Sequence, residues 1–280
     1  MKYFTVELKK EFPMLQTNQN PVLHCYVNDI FRRDDHYNAP GMLIMPGGGY
    51  TQVCFNREGE CIAFWYLKAG YCAFVLQYSV APGAHFPEQL CEEAAAMLYI
   101  RRHAKEWRLD PEKIAVSGFS AGGHLACSLG TMCNDPAVTG LLGVTPQEIA
   151  PNAMVLGYPV IAADPAIAHV WSIKNVSGVE DTSSPDYLKF GLEHKVNEFT
   201  PPTYLWHTAD DNCVPCKNSL VFAAALAEHG IMYELHIFPH GPHGLAACDL
   251  ASSPYVDEVA ALANAWVDES IRFLAVVFGK

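Results

Sequence analysis

Ser120 is the residue whose type and setting most directly indicate chemistry. It is the centre of Gly-Phe-Ser-Ala-Gly at residues 118–122, between an apolar strand predicted at 114–116 and a helix predicted at 121–132. A serine on such a strand-to-helix turn has a strained backbone that projects its hydroxyl above the sheet. The N-terminus of the helix also favours negative charge beside it. The pattern therefore predicts a nucleophilic serine.

Two aspartates and two histidines are candidates for the partners of this serine, and each pair lies in a loop that directly follows a buried strand. They are Asp210 and Asp211 in one loop, and His240 and His243 in the other. The carboxyl ends of parallel strands meet at one edge of a sheet, so both loops are expected to converge on Ser120. The chain order of serine, acid and histidine is typical of a hydrolytic triad. The residues alone leave open which aspartate and which histidine take part.

A glycine-rich loop could bind negative charge at the same edge. Residues 46–50 read Pro-Gly-Gly-Gly-Tyr and follow an apolar strand predicted at 42–45. Consecutive glycines let the backbone approach a substrate closely and turn its N–H groups toward it. An oxyanion hole requires such donors.

The elements that must position these loops alternate between strand and helix from residue 41 onward. Strands are predicted at residues 42–45, 73–78, 114–116, 153–156, 202–207 and 233–238, and helices at residues 58–69, 87–107, 121–132 and 256–278. This alternation predicts a three-layer α/β fold with a mostly parallel sheet, in one domain of residues 1–280. Two further runs at 4–8 and 22–27 predict an antiparallel hairpin at the sheet edge.

The longest irregular stretch is residues 158–201, which is rich in Pro, Ser, Asp and Gly and has one weak helix signal near 184–190. Loops of this length in compact domains are usually functional or disordered. We expect this stretch to form a small cap that shapes the substrate pocket. The alternative is a plain surface loop.

Together, these motifs resemble the esterase branch of the α/β-hydrolases, specifically the acetyl esterase and acetylxylan-esterase-like (feruloyl-esterase-like) serine esterases with Pro-Gly-Gly-Gly-Tyr. The resemblance spans about residues 40–275. It implies that Ser120 is the nucleophile, that His243 is the general base because a glycine follows it, and that Asp211 is the acid because it stands three residues before a Val-Pro pair.

The resemblance also assigns the donors of the oxyanion hole. They are the backbone N–H groups of Gly48 or Gly49 and of Ala121. One position departs from the family pattern, since Tyr78-Ser79 stands where the family usually has Tyr-Arg.

The activity that the resemblance implies is hydrolysis of small acyl esters, above all acetyl esters of sugars or oligosaccharides, with no metal or organic cofactor. Two alternative activities fit the same fold, that of an arylformamidase-like amide hydrolase and that of a serine peptidase. A hydrolase-fold protein that only binds its ligand is a third alternative. Serine, acid and histidine in the expected order count against it.

Composition narrows the partners further. The 280 residues carry a net charge of −12, which repels nucleic acid and anionic membrane surfaces, so a small-molecule ester is the expected partner. Self-association into a homo-oligomer stays open. No apolar run approaches the ~20 residues of a membrane span, and the N-terminus lacks a signal-peptide pattern, so a cytoplasmic protein is expected.

The remaining reactive side chains are expected to be structural. Ten cysteines without an export signal are typical of reduced thiols. Cys213 and Cys216 have the Cys-x-x-Cys spacing of a redox pair, but they fall inside the acid loop. No second cysteine pair completes a zinc site. His124 and His207 lie on a helix and at a strand end, where we expect hydrogen-bonded structural histidines.

Overall fold

Eight strands form one sheet in the computed structural model of the protein, which describes residues 1–29, 37–253 and 257–279. The strands are β1 (Lys2–Glu7), β2 (Val22–Val27), β3 (Ala39–Met45), β4 (Cys72–Gln77), β5 (Leu109–Phe119), β6 (Ala153–Gly157), β7 (Thr203–Thr208) and β8 (Tyr233–Phe238). Their order across the sheet is β1-β2-β4-β3-β5-β6-β7-β8. β2 is antiparallel to both β1 and β4, and the other neighbouring pairs are parallel.

Helices cover both faces of the sheet. They are α1 (Leu8–Glu11), α2 (Cys61–Lys68), α3 (Glu88–Trp107), α4 (Ala121–Met132), α5 (Pro136–Leu142), α6 (Pro146–Ile149), α7 (Val170–Ser177), α8 (Pro185–Leu188), α9 (Lys217–Glu228) and α10 (Ala265–Val277). A π-helix at Phe55–Glu60 precedes α2, and 3₁₀ turns lie at Leu192–His194 and Ala260–Asn264.

Two hydrophobic layers hold the helices to the sheet, and β3 shows how the sequence divides them. Successive side chains of a strand point to opposite faces. Leu43 and Met45 accordingly pack in the layer that contains α3, α4 and α9, whereas Met42 and Ile44 pack in the layer that contains α2 and α10. All four side chains are fully buried. The predicted three-layer α/β fold with an antiparallel sheet edge is confirmed.

Three strands differ from their predicted bounds by more than one residue: β1, β5, and β3, which begins at Ala39 and was expected to begin at 42. The first strand was expected at 4–8, but Leu8 begins α1, where its N–H donates to the Pro21 carbonyl instead of a neighbouring strand. The strand expected at 114–116 is the longer β5. Its first half was not predicted because it contains polar residues and Pro111. That half joins the sheet because Ala39 pairs with Leu109 across a shift in register.

Several helices also differ from expectation. The helix expected at 58–69 is the π-helix followed by α2, and α1, α5 and α6 were not predicted. The irregular stretch 158–201 contains α7, which was not predicted, beside α8 at the expected place. The C-terminal helix was expected at 256–278; Val256 lies outside the described residues, and α10 begins only at Ala265. Asp257 accepts hydrogen bonds from two following backbone N–H groups, so the chain first forms a capped 3₁₀ turn. No helix in the described part of the chain is both long and apolar enough to cross a membrane.

The contact between α4 and the end of β3 depends on Gly122. A Cβ on Gly122 would stand 2.1 Å from the Met45 carbonyl oxygen and 2.4 Å from that of Pro46. Real Cβ atoms do not approach backbone oxygens so closely, so only glycine allows α4 to lie this near to β3. The contact places the turn after β5 beside the loop after β3.

Gly122→Ala should therefore lower the free energy of unfolding by roughly 1 to 3 kcal/mol, because backbone must move to admit the methyl group. Gly140→Ala is the matched control, since Gly140 is exposed within α5 and a Cβ there meets nothing within 4 Å. That change should raise stability by about 0.5 to 1 kcal/mol. Urea unfolding followed by circular dichroism measures both. Unchanged stability in Gly122→Ala would contradict the close contact.

Candidate active site

Ser120 occupies a strained turn between β5 and α4. Its φ of 54° and ψ of −123° lie in a region that residues other than glycine rarely adopt. Backbone hydrogen bonds hold the turn, from Ser120 N–H to the Gly157 carbonyl (3.1 Å) and to the Ser120 carbonyl from Val160 N–H (3.0 Å) and His124 N–H (3.2 Å). Only 7% of Ser120 is exposed, so its hydroxyl is largely shielded from water.

A chain of hydrogen bonds joins Ser120 to His243 and Asp211. Ser120 Oγ lies 2.8 Å from His243 Nε2, and His243 Nδ1 lies 2.7 Å from Asp211 Oδ2. A carboxylate only accepts hydrogen bonds, so Nδ1 carries the proton and Nε2 is left to accept from the serine hydroxyl. The structure thus brings together the three residues that the family resemblance selected. This arrangement can remove a proton from Ser120.

Asp211 is buried but remains ionised. Burial acts to raise its pKa, but hydrogen bonds from His207 and His243 and from the backbone N–H of Cys213 outweigh it, so the pKa lies below its usual range. Asp211 Oδ1 accepts the N–H groups of Cys213 and Val214, each at 2.9 Å. These two bonds fix the carboxylate so that its other oxygen faces His243.

Asp210 and His240 pair with each other at the outer side of the two loops. His240 Nδ1 lies 2.5 Å from Asp210 Oδ2, and Gly241 N–H donates to Asp210 Oδ1 at 2.9 Å. Hydrogen bonding to Asp210 raises the pKa of His240, and the Gly241 N–H lowers the pKa of Asp210. His240 also lies 3.4 Å from Asp257. This half-exposed ion pair ties the acid loop to the histidine loop and does not contact Ser120.

The glycine loop lies against the serine. A Cβ on Gly47 would stand 2.9 Å from the Cβ of Ser120. The Gly47 N–H is engaged, since it donates to Glu58 Oε2 at 2.7 Å. Among the hydrogen bonds of the described residues, none uses the N–H of Gly48, Gly49 or Ala121 as donor. These three groups include the predicted oxyanion donors, which are the N–H of Ala121 and that of Gly48 or Gly49.

Glu58 is a site residue that the sequence did not reveal. It is buried in the π-helix, and its two carboxylate oxygens accept from different loops. Oε2 accepts from Gly47, and Oε1 accepts from the Tyr158 hydroxyl at 2.7 Å. Tyr158 Oη accepts in turn from Ala246 N–H at 2.9 Å, and its ring meets the His243 ring edge-on with centroids 5.0 Å apart. One carboxylate therefore connects the glycine loop to the loop that carries His243.

Arg57 supports the histidine loop from the same π-helix. Its Nε donates to the Ser252 carbonyl at 2.7 Å, and its guanidinium also donates to the Gly244 carbonyl. A π-helix inside or beside an α-helix is rare and often occurs at functional sites. Here it presents Arg57 and Glu58, which are adjacent in sequence, to different loops of the site.

The stretch 158–201 contacts the site through α7. Asn175 Nδ2 donates to the Gly49 carbonyl at 2.8 Å, and the Trp171 ring lies on the Gly49 backbone. His169, at the start of α7, has Nε2 3.5 Å from the Cys213 sulfur in the acid loop. These contacts are compatible with the expected cap. That the stretch shapes the substrate pocket stays a prediction.

The two histidines expected to be structural are buried, and each is hydrogen-bonded through both ring nitrogens. Their partners are Tyr50 Oη and the Phe190 carbonyl for His124, and Ser219 Oγ and the Val214 carbonyl for His207. His207 Nε2 also lies 3.4 Å from Asp211 Oδ2. Burial lowers the pKa of His124 to about 4, so this ring is neutral near pH 7. All ten cysteines are free thiols.

The position that departs from the family pattern has polar contacts of its own. Ser79 is buried, its N–H donates to Glu92 Oε2 at 2.7 Å, and its Oγ accepts from Thr17 Oγ1 at 2.8 Å. Burial raises the pKa of Glu92 to about 7. Ser79 is therefore hydrogen-bonded to the N-terminal segment through Thr17 and to α3 through Glu92.

Comparison with known proteins identifies similar chains. The BD-FAE family matches residues 29–226. Endo-1,4-beta-xylanase B of Butyrivibrio fibrisolvens is 34% identical over 238 residues, which cover 82% of this chain and 35% of that protein. An acetylxylan esterase of Xylanibacter ruminicola is 32% identical over 213 residues, which cover 74% of this chain and 42% of that protein. The chain thus spans less than half the length of either of these curated relatives.

A solved structure is similar over nearly its full length. The crystal structure of an acetyl ester-xyloside bifunctional hydrolase from Caldicellulosiruptor lactoaceticus shares 36% sequence identity with this chain and has a TM-score of 0.76. The match covers 96% of this chain and 97% of that one.

Glu58→Gln should lower the free energy of unfolding by about 1 to 3 kcal/mol. In either orientation of the new amide, its NH₂ group would face a group that donates to Glu58 in the native protein, so two donors would oppose each other. It would meet the Gly47 N–H or the Tyr158 hydroxyl, which already accepts a bond. Glu60→Gln is the matched control, since Glu60 accepts one bond from the Tyr26 hydroxyl, which an amide oxygen also accepts. Urea denaturation of both variants tests this. Equal losses would show that Glu58 does not bridge the loops.

Proposed function

The chain belongs to the BD-FAE family of esterase-like α/β-hydrolases, and its relatives include an acetylxylan esterase; we propose that it is a serine esterase that removes acetyl groups from sugars or oligosaccharides. The observation that carries the proposal is the chain of hydrogen bonds from Ser120 through His243 to Asp211, beside three unused backbone N–H groups. A protein that only bound its ligand would have no need of this arrangement.

Acylation follows from the geometry. Ser120 Oγ attacks the carbonyl carbon of the ester while His243 Nε2 takes the serine proton. The carbonyl oxygen becomes negative and is bound by the N–H of Ala121 and that of Gly48 or Gly49. His243 then gives its proton to the departing alcohol, and the acyl group stays on Ser120 as an ester. Asp211 keeps the imidazole in the productive tautomer and stabilises its positive charge.

Deacylation repeats the same steps with water. His243 Nε2 takes a proton from a water molecule, whose oxygen attacks the acyl carbon on Ser120. The same backbone N–H groups bind the second oxyanion. When the intermediate collapses, the carboxylic acid departs and Ser120 Oγ recovers its proton from His243.

The substrate class is supported by what the relatives are called. Their names pair an acetyl ester with xylan or a xyloside in two cases, and the third is a xylanase. A net charge of −12 also favours neutral sugars over anionic substrates, which the protein repels at long range. We therefore expect short acyl chains on a neutral alcohol to be cleaved best.

Ser120→Ala should lower kcat by about 10⁴ to 10⁶, because it removes only the nucleophile. Acetate release from acetylated xylo-oligosaccharides and p-nitrophenyl acetate measures the loss. Ser128→Ala is a matched control on α4, where the hydroxyl donates to the His124 carbonyl of the same helix. Retention of activity within tenfold in Ser120→Ala would rule out this nucleophile. Cleavage of p-nitrophenyl acetate without cleavage of the sugar esters would rule out the substrate class.

Asp211→Asn should lower kcat by roughly 10³ to 10⁴ through the imidazole tautomer. The amide oxygen must occupy the Oδ1 position, where it accepts two backbone N–H bonds, so the NH₂ group faces His243 Nδ1. Nδ1 then accepts, and Nε2 carries a proton that prevents it from receiving the proton of Ser120.

Asp210→Asn provides the comparison at the neighbouring position. It alters an exposed pair with His240, so kcat should fall by at most about tenfold, through the stability of the loop. Both variants are assayed on p-nitrophenyl acetate after circular dichroism has verified their folding. A larger loss in Asp210→Asn than in Asp211→Asn would reverse the assignment of the acid.

A further inference from the structure

Trp171 combines an unusual exposure with a position beside the proposed oxyanion hole. About half of the side chain, 52%, is exposed, although it is a tryptophan. Its ring lies directly on Gly49, since a Cβ built there would stand 2.1 Å from Cζ3 and 2.6 Å from Cε3. One side of the indole therefore packs on the glycine loop, and the rest is open to solvent next to the site.

The tryptophan is held in this position by its own helix. Asn175 lies four residues later on the same face of α7 and donates to the Gly49 carbonyl at 2.8 Å. On the other side, His169 meets the Trp171 ring edge-on with centroids 6.2 Å apart, and its Nε2 contacts Cys213 at 3.5 Å. The ring is thus fixed between the glycine loop and the acid loop before any ligand binds.

We propose that the indole of Trp171 is the platform on which the sugar ring of the substrate stacks, with the acetyl group directed at Ser120. This inference rests on the proposed function and adds which residue binds the alcohol part of the ester. The ester carbonyl must lie between Ser120 Oγ and the N–H groups of the glycine loop, so the Trp171 ring stands beside one end of the ester.

The size of the two ends decides which one meets the ring. An aromatic side chain buries 150–250 Å² when it is covered, far more than the methyl of an acetyl group could supply. A pyranose ring has a flat face of C–H groups that covers an indole well. A bulky alcohol needs more space than an acetyl group, so the alcohol end of the ester is expected to extend toward solvent. The exposed part of the Trp171 ring lies on that side.

The surroundings of the ring suit a neutral partner. Burial, and then the nearby His243, lower the pKa of His169, so its imidazole is uncharged near pH 7. Its Nδ1 is hydrogen-bonded to Ser172 Oγ at 2.8 Å. The imidazole at the edge of the platform therefore carries no charge, which suits an uncharged sugar.

The experiment compares two acetyl esters that differ only in the alcohol, an acetylated methyl xyloside and ethyl acetate, followed by pH-stat. In Trp171→Ala, the ratio of kcat/KM for the xyloside to that for ethyl acetate should fall by about tenfold, mainly through KM. Trp171→Phe keeps an aromatic face and should recover most of this ratio. Phe64→Ala removes a ring of equal exposure, 52%, on α2 and should leave the ratio unchanged.

The outcomes separate this inference from the proposed function. If the wild type cleaves both esters and Trp171→Ala lowers kcat/KM equally for both, the platform is wrong and the esterase stands. A fall in the ratio for Phe64→Ala as large as for Trp171→Ala would also overturn the platform. If the wild type cleaves ethyl acetate but not the xyloside, the proposed sugar substrate fails and the platform fails with it.

Discussion

The carboxylate of Glu58 is buried at the carboxyl edge of the sheet, where it accepts hydrogen bonds from the glycine loop and from Tyr158. An unpaired buried charge is costly, so each of these bonds must form when the chain folds. The Gly47 N–H is used in this way, so the proposed oxyanion donor of this loop is the N–H of Gly48 or Gly49. Through Tyr158, the same carboxylate fixes the loop that carries His243. The proposed oxyanion hole and general base are thus built on one interaction.

The pairing of aspartates and histidines shows a second constraint. Asp210 and Asp211 are adjacent, and their side chains point to different histidines 30 and 32 residues away. Asp211 is directed inward by two backbone N–H bonds, and Asp210 stabilises the outer side of the loop. A single loop therefore supplies both the group that orients His243 and the contact that holds the histidine loop in place.

The stretch between β6 and β7 is the segment that we expect to shape the substrate pocket. Its helix α7 contacts the glycine loop through Asn175 and the acid loop through His169. These contacts couple the position of Trp171 to the groups proposed to carry out the chemistry. Binding residues often lie on loops that a rigid scaffold positions, so we expect this segment to set which alcohol is accepted.

The sequence by itself determined the fold class, the serine turn and the glycine loop, because each depends on contacts or periodicity within a few residues. The turn at Ser120 can be recognised from its neighbouring glycines, the strand before it and the helix after it, although hydrogen bonds to Gly157 and Val160 also hold it. The residues alone did not decide which of the two aspartates and which of the two histidines pair with Ser120, and the family resemblance was needed for that choice. The path of each loop sets the direction of its side chains, and that path depends on distant partners.

Only the tertiary structure revealed Glu58, Tyr158, Asn175 and Trp171. Glu58 and Tyr158 are 100 residues apart, and Asn175 and Gly49 are 126 apart. No local pattern marks such residues, since a glutamate in a helix or a tryptophan in a loop region is ordinary by itself. Their roles arise because packing of the helices on the sheet brings them to the edge where the parallel strands end.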